Sequence, residues 1–340
     1  MDLLSHALLG AGAAIAIARP QEMRKAALVA AGAALLPDTD AFIRSTTDPL
    51  LYIEYHRAFT HALIFIPIGA LLATMLLWPW LRRQLSFGRC YLFAFIGYAL
   101  HAPLDAATSY GTHLLWPFSD ARTAGSIISV VDPLFTLILA GGVGWALWRR
   151  GPAASRVALV LAGLYLSLGA FQHHRALQAA ADLNAQRGIE AERLMVKPTF
   201  GNLLLWRSIT VTNDHIQVDA IRPGWFGPGR TYAGEAAPRL HPQDLTSLPP
   251  DSQMAADVDR FAFFTDDLLV HTPGEPWTFG DARYGMLPTS IRSIWRIEVD
   301  PQQPDAHVNL VTDRDMSPAE RQAYMDMMMG RPTATAPQGQ

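Results

Sequence analysis

The sequence predicts a chain in two parts. An α-helical polytopic membrane domain, with four firm spans and two short hydrophobic helices before them, precedes a mainly β extracytoplasmic domain. Three observations carry this. Residues 1–180 hold nearly all the long apolar runs. The loops between them alternate between arginine-rich and acidic. The remainder reads as short period-two runs separated by Gly, Pro, Asn and Asp.

The 340 residues are half apolar and only 17% charged, a low share for a soluble chain. The firm spans are about 61–80, 91–107, 128–148 and 156–173, each approaching the roughly 20 apolar residues that cross a hydrocarbon core. Leu3–Ala18 and Ala26–Leu36 are shorter. They read as tilted helices or a re-entrant hairpin held inside the bundle. A signal peptide fits the first less well, because no basic stretch precedes the apolar run and Asp2 stands in its place.

Orientation follows the basic residues. Arg19, Arg24 and Lys25, then Arg82, Arg83 and Arg89, then Arg149, Arg150 and Arg156 occupy alternate loops and belong inside. The intervening loops carry Asp38, Asp40, Asp48 and Glu54, or Asp105, Asp120 and Asp132, and belong outside. The last span exits outward and leaves the C-terminal half extracytoplasmic, which for an inner membrane is periplasmic.

The domain plan is 1–175 for the membrane part, 176–194 for a helical linker, 195–330 for the β part and 331–340 for a disordered tail. Ile209–Thr212 and Ile216–Val218 alternate around Asn213-Asp214, a hairpin signal. Phe261–Val270, Ile294–Val299 and Val308–Val311 are further strand candidates, and 317–329 is a short amphipathic helix. The single cysteine, Cys90, excludes an intrachain disulfide and leaves the compartment undecided. A net charge of −3 argues against a nucleic-acid surface.

Every cluster of metal-ligand type falls at an outer segment end: His6, Asp38 with Asp40, His56 with His61, and His101 with Asp105. Ionisable groups at membrane depth are costly and point to function. His101 and Asp105 are four apart and share a helix face; a hydrogen-bonded pair is the plain alternative. Asp38 and Asp40 follow Pro37 and suit a turn, but their mutual repulsion is also relieved by a cation. His56 and His61 are five apart, too far round one helix face, so His56 belongs to the loop or first turn. Thr60 caps the helix or orients a histidine. Arg57 presents a fork suited to an anionic oxygen, or pairs with Glu54 or lipid phosphate. His6 alone fits a satisfied bundle histidine as well as a ligand.

Histidine and aspartate without cysteine suit zinc, manganese or iron, and the number of ligands fills one or two ions. His173-His174 and Trp78, Trp80, Trp116, Trp145 and Trp148 read as interfacial. Gly280–Gly285 reads as a polar surface turn.

Taken in order, Ser5-His6 with Gly10, Leu36–Asp40, His56–His61, His101–Asp105, Thr108, Gly111-Thr112 and Pro117-Phe118 resemble the YdjM-type family of membrane-bound metal-dependent hydrolases. The resemblance covers roughly residues 1–120, about a third of the chain. It implies a metal-dependent hydrolase. A more distant similarity to the helical zinc-dependent phospholipase C and nuclease group implies phosphoester cleavage. Ala62 stands where the pattern expects Ser, which alters a hydroxyl and no ligand.

The expected function is therefore a multi-pass inner-membrane hydrolase. Metal-activated water would attack an ester or phosphoester of a lipid or lipid-linked substrate at the extracytoplasmic face. Its expected ligands are His6, Asp38, Asp40, His56, His61, His101 and Asp105. Asp40 is also the expected proton acceptor, Arg57 the oxyanion partner, and Thr60, Thr108 and Thr112 the orienting hydroxyls. Rival readings are a metal or solute transporter, a diiron lipid-modifying oxidase and a noncatalytic scaffold for the β part. The sequence leaves the oligomeric state open.

Overall fold

Asp2 starts the first helix: its carboxylate accepts the Ser5 N–H at 3.0 Å and the Ser5 hydroxyl at 2.7 Å. The computed structural model describes residues 1–225 and 229–333, so most of the tail expected to be disordered lies outside the described residues. Two compact units emerge. The first comprises Met1–Ile43, Tyr55–Phe171 and Phe200–Leu203, and the second Arg44–Glu54, Gln172–Thr199 and Leu204 onward.

In the first unit α1 (Leu3–Ile17), α2 (Met23–Leu35), α4 (Ile66–Leu81), α5 (Phe87–Ala107) and α6 (Pro133–Arg149) form a helical bundle; α3 (Leu51–Tyr55), between α2 and α4, belongs to the second unit except for its last residue, Tyr55. The long helix α7 (Ala153–Arg187) contributes its first part to the bundle. Among the described residues, three stretches are long and apolar enough to cross a membrane: Leu63–Leu81, Phe87–Ala107 and Ala153–Arg187. The expected span at 128–148 is a shorter helix. Asp132 caps it by accepting the Phe135 N–H at 3.1 Å, and Pro133 occupies its first turn. Its 17 residues extend about 25 Å, short of the roughly 30 Å hydrocarbon thickness. The helical linker is not a separate element, because α7 runs without a break to Arg187 and the first strand opens at Arg193.

Small residues let α1, α2 and α5 approach. A Cβ on Gly10 would stand 2.9 Å from the Ala30 carbonyl oxygen, and one on Gly97 would overlap that same oxygen. Ala14, Ala26, Ala30, Ala33 and Ala94 are fully buried around them. In lipid this close packing replaces the hydrophobic drive that water would supply.

The second unit carries an antiparallel sheet. Its strands are β1 (Arg193–Pro198), β2 (Trp206–Val211), β3 (His215–Arg222), β4 (Arg230–Tyr232), β5 (Ala236–Leu240), β6 (Leu269–Thr272), β7 (Glu275–Asp281), β8 (Trp295–Glu298) and β9 (Asn309–Thr312). The order is β1-β2-β3-β5-β6-β7-β8-β9, with β4 also paired to β3. The hairpin at Asn213-Asp214 forms with Val211 opposite Ile216. The strands at Ile294–Val299 and Val308–Val311 correspond to β8 and β9, and the amphipathic helix to α9 (Pro318–Met329).

Phe261–Val270 is not one strand. It divides into the end of helix α8 (Gln253–Thr265), a turn, and β6. Ser252 caps the helix through the Ala255 N–H, and Met254, Asp257, Val258, Phe261, Ala262 and Thr265 are buried at helical spacing. Asp266 ends it in the left-handed region at φ 61. The run is apolar because two successive elements each bury one face. The Gly280–Gly285 turn is also more internal than expected: Asp281 is fully buried and pairs with Arg283 at 2.8 Å.

Gly97→Ala is expected to lower the unfolding temperature of the detergent-solubilised chain, at about 1–3 kcal/mol for an overpacked core. Gly141→Ala, in the open on α6, is expected to leave it unchanged or raise it. Equal melting temperatures for the two variants would show that the α2–α5 approach does not limit stability.

Candidate metal centre

Four short segments of the first unit supply the site. Pro37 ends α2 and opens a 3-10 turn over Pro37–Phe42 that carries Asp38 and Asp40. A second 3-10 turn, Phe59–His61, carries Thr60 and His61 ahead of α4. His101 and Asp105 lie in the last two turns of α5, and His6 lies in the first turn of α1. His6, Asp40, Arg57, His61, His101 and Asp105 are buried, while Asp38 and His56 are partly exposed.

Hydrogen bonds determine which ring nitrogen faces inward. His101 Nδ1 lies 2.6 Å from the Ala34 carbonyl oxygen, which can only accept. Nδ1 therefore carries the hydrogen and Nε2 presents its lone pair. Thr60 donates its hydroxyl hydrogen to Asp40 Oδ2 at 2.9 Å. His61 Nδ1 lies 3.0 Å from that hydroxyl oxygen and 3.2 Å from Asp40 Oδ2, so it too is the donor. The two Nε2 atoms then face each other at 2.9 Å. Two lone pairs at that distance repel unless a proton or a metal cation lies between them.

Two carboxylates complete the arrangement. Asp38 Oδ1 lies 3.6 Å from both Nε2 atoms. Asp105 Oδ2 lies 3.2 Å from His61 Nε2 and 3.4 Å from His101 Nε2. The edge of a tetrahedron with metal–ligand bonds of 2.0–2.1 Å is about 3.3 Å. The five separations, from 2.9 to 3.6 Å, bracket that edge. Asp105 Oδ2 is buried without a hydrogen bond, whereas Oδ1 is occupied by Arg57 Nη2 at 3.1 Å, by His6 Nε2 at 3.1 Å and by the Met1 amine. One oxygen is held and the other is left for a cation. Asp38, His61, His101 and Asp105 thus fit a single ion, and the Asp40–His61 and Ala34–His101 contacts orient its ligands.

The remaining sequence-derived candidates surround this quartet. His6 stacks on His101 at 3.7 Å between ring centroids and bonds Asp105, outside the four-ligand group. Asp40 is a hub: Oδ1 accepts from His56 Nδ1 at 2.9 Å, while Oδ2 accepts from the Arg57 N–H at 2.9 Å and the Thr60 hydroxyl. Burial pushes the Asp40 carboxyl up, and the bonds from His56 and His61 outweigh this and hold it below the usual carboxylate range. Burial acts likewise on Asp38, where the bonds from His101 and His61 prevail. Asp38, Asp40 and His56 form a second group of converging ligand atoms.

Arg57 adopts a left-handed backbone at φ 64, which aims its N–H at Asp40; such a non-glycine conformation costs about 1–3 kcal/mol. Its guanidinium bonds Thr108 Oγ1 at 3.0 Å and lies 4.9 Å from the Tyr110 ring centre. It pairs with Asp105 rather than with Glu54. Thr60 orients His61 instead of capping a helix. Thr112 pairs with Thr123 through the backbone. His173 packs on Trp206 in the second unit.

Sequence reasoning missed the Ala34 carbonyl, which carries no side-chain signal. It also missed Tyr98, whose hydroxyl donates to the Thr60 carbonyl at 2.8 Å. Its position one helical turn before His101 was the available sign.

The family model described as YdjM inner membrane protein matches residues 1–176. The chain is 27% identical over 183 residues to an uncharacterized protein, YfhP, of Bacillus subtilis, covering 53% of each chain. It is 35% identical over 91 residues to the inner membrane protein YbcI of Escherichia coli, covering 26% of this chain and 51% of that one. The chain thus spans about half the length of the curated relatives it matches. No solved structure matches.

Titration of zinc into metal-free protein at neutral pH is expected to release about one proton per ion, because the shared proton between His61 and His101 must leave. Calorimetry in two buffers of different ionisation enthalpy measures this. A buffer-independent heat would refute the facing-lone-pair arrangement.

Proposed function

We propose that this chain, which belongs to the YdjM inner membrane protein family, is a membrane-bound metal-dependent hydrolase acting on an ester or phosphoester of a lipid or lipid-linked substrate. The observation that carries the reading is the pair of inward-facing Nε2 atoms 2.9 Å apart, closed by Asp38 and by the unbonded oxygen of Asp105.

The donor set, two imidazoles and two carboxylates without sulfur, suits zinc and also manganese or iron. A bound ion would supply Lewis acidity toward water and toward a substrate oxygen. The residues do the rest. Asp40 already accepts from His56, Arg57, Thr60 and His61, so its carboxylate holds ligands in place. Asp38, the partly exposed member of the quartet, is the ligand that a water would displace, and proton acceptance falls to His56, which lies outside the quartet. Arg57 balances Asp105 and becomes an oxyanion partner only where substrate competes for its guanidinium.

Location supports the substrate class. The ligands sit near helix ends, in the last two turns of α5 and in 3-10 turns before α4. The alternation of arginine-rich and acidic loops in the sequence supports a reading in which that side faces outward from the inner membrane. There a lipid headgroup is the nearest ester. A transporter would need its polar groups near mid-span, and clusters at helix ends favour the hydrolase over it.

Metal analysis of detergent-purified protein is expected to find one or two zinc, manganese or iron ions per chain. Asp105→Asn and His101→Ala are expected to reduce that content. Both are expected to lower hydrolysis of phosphodiester and ester lipids by at least about 100-fold, as ligand loss removes the activated water. Metal binding with no hydrolysis of either class, but metal uptake into reconstituted vesicles, would replace the hydrolase with the transporter. No metal after reconstitution would sink both.

A further inference from the structure

The family match ends at residue 176, yet one segment inside it, Arg44–Glu54, belongs structurally to the second unit. Arg260 of α8 binds it. Its Nη1 and Nη2 donate to the two oxygens of Asp48 at 3.2 and 2.8 Å. Its Nε and Nη2 donate to the two oxygens of Glu54 at 2.6 and 2.9 Å. A third carboxylate fixes the arginine: Asp257 accepts from Nη1 at 2.8 Å. Asp257 is fully buried and is also held by Gln253, by His307 Nδ1 and by the Val308 N–H. Paired guanidinium–carboxylate forks are strong and directional, unlike a loose surface ion pair.

The bound segment also has order of its own. The Asp48 N–H donates to Ser45 Oγ, and Asp48 Oδ1 caps Leu50. Leu50 and Ile53 are buried. By chain connectivity, its two ends lead directly to the candidate metal centre. Asp40 stands four residues before Arg44, and His56 stands two after Glu54. Asp40 and His56 close the loop on each other at 2.9 Å. Holding the middle of a loop lowers the entropy lost when its ends are brought together.

We infer that Arg260 is a positioning residue for the metal centre: it secures the 44–54 segment to the C-terminal unit, so that Asp38 and Asp40 on one side and His56 and Arg57 on the other are presented in register. The inference rests on the metal reading above and gives the C-terminal unit a role in it. Loss of the clip leaves every ligand in the chain but frees the loop between them.

The test measures zinc affinity of the detergent-purified full chain by chelator competition, alongside its thermal unfolding. Arg260→Ala is expected to weaken zinc binding about 10-fold or more, in the range seen when ligand-orienting partners are lost. Arg260→Lys is expected to fall between the two. The double variant Asp48→Asn/Glu54→Gln is expected to match Arg260→Ala, and combining all three changes adds nothing further if they share one interaction. Arg239→Ala, which breaks the ion pair to Glu192 in the same unit, is expected to leave zinc affinity unchanged. Wild-type affinity in Arg260→Ala overturns the inference and leaves the metal reading standing. If Arg260→Ala does not fold, wild-type affinity in Asp48→Asn/Glu54→Gln overturns it instead. A wild-type chain that binds no zinc, manganese or iron overturns the metal reading and this inference together.

Discussion

The facing Nε2 atoms of His61 and His101 are the constraint on which the helical unit turns. Each ring is oriented by a group that its own sequence neighbourhood does not supply. Ala34, on α2, sets the His101 tautomer through a backbone carbonyl, which is available because helix-end carbonyls lack intrahelical partners. Asp40, in the turn after α2, sets His61. Both therefore require α2 to end close to α5. The Gly10, Ala30 and Gly97 contact permits that approach, because Ala30 meets two glycines where any larger side chain would collide. Packing of apolar backbone and orientation of imidazoles are one problem with one solution.

Charge explains why so much hydrogen bonding surrounds so small a site. Asp38, Asp40 and Asp105 bring carboxylates together where burial opposes ionisation. Arg57 offsets part of that charge at Asp105 and, through its left-handed backbone, gives a main-chain donor to Asp40. Histidines contribute further donors. What remains unbalanced is Asp105 Oδ2 and the space between the two Nε2 atoms, and a divalent ion answers both.

The C-terminal unit shows a different economy. Two of its buried arginines are held by nearby parts of the sheet region: Arg207 donates to the carbonyls of Ala282, Pro288 and Ser290, and Arg283 is paired with Asp281. Arg260 instead commits its guanidinium to carboxylates far away in sequence.

Much of this was legible in residue order. Apolar run lengths marked helices, although Asp132 and Pro133 shortened one by starting it later. Period two marked the hairpin around Asn213-Asp214. It failed at Phe261–Val270, where a helix end and a strand abut and together mimic a single apolar run. The spacing of His101 and Asp105 put both on one helix face, and the His-Asp content pointed to a candidate metal centre. The sequence by itself determined membrane helices, a β region and the types of candidate ligand, because these follow from local periodicity and side-chain chemistry. Only the tertiary structure decided which aspartate oxygen is left open, that His6 supports rather than joins the quartet, and that Arg260 reaches Asp48 and Glu54. Those outcomes depend on directions and distances of a few ångströms between segments up to about 200 residues apart, which no local pattern encodes.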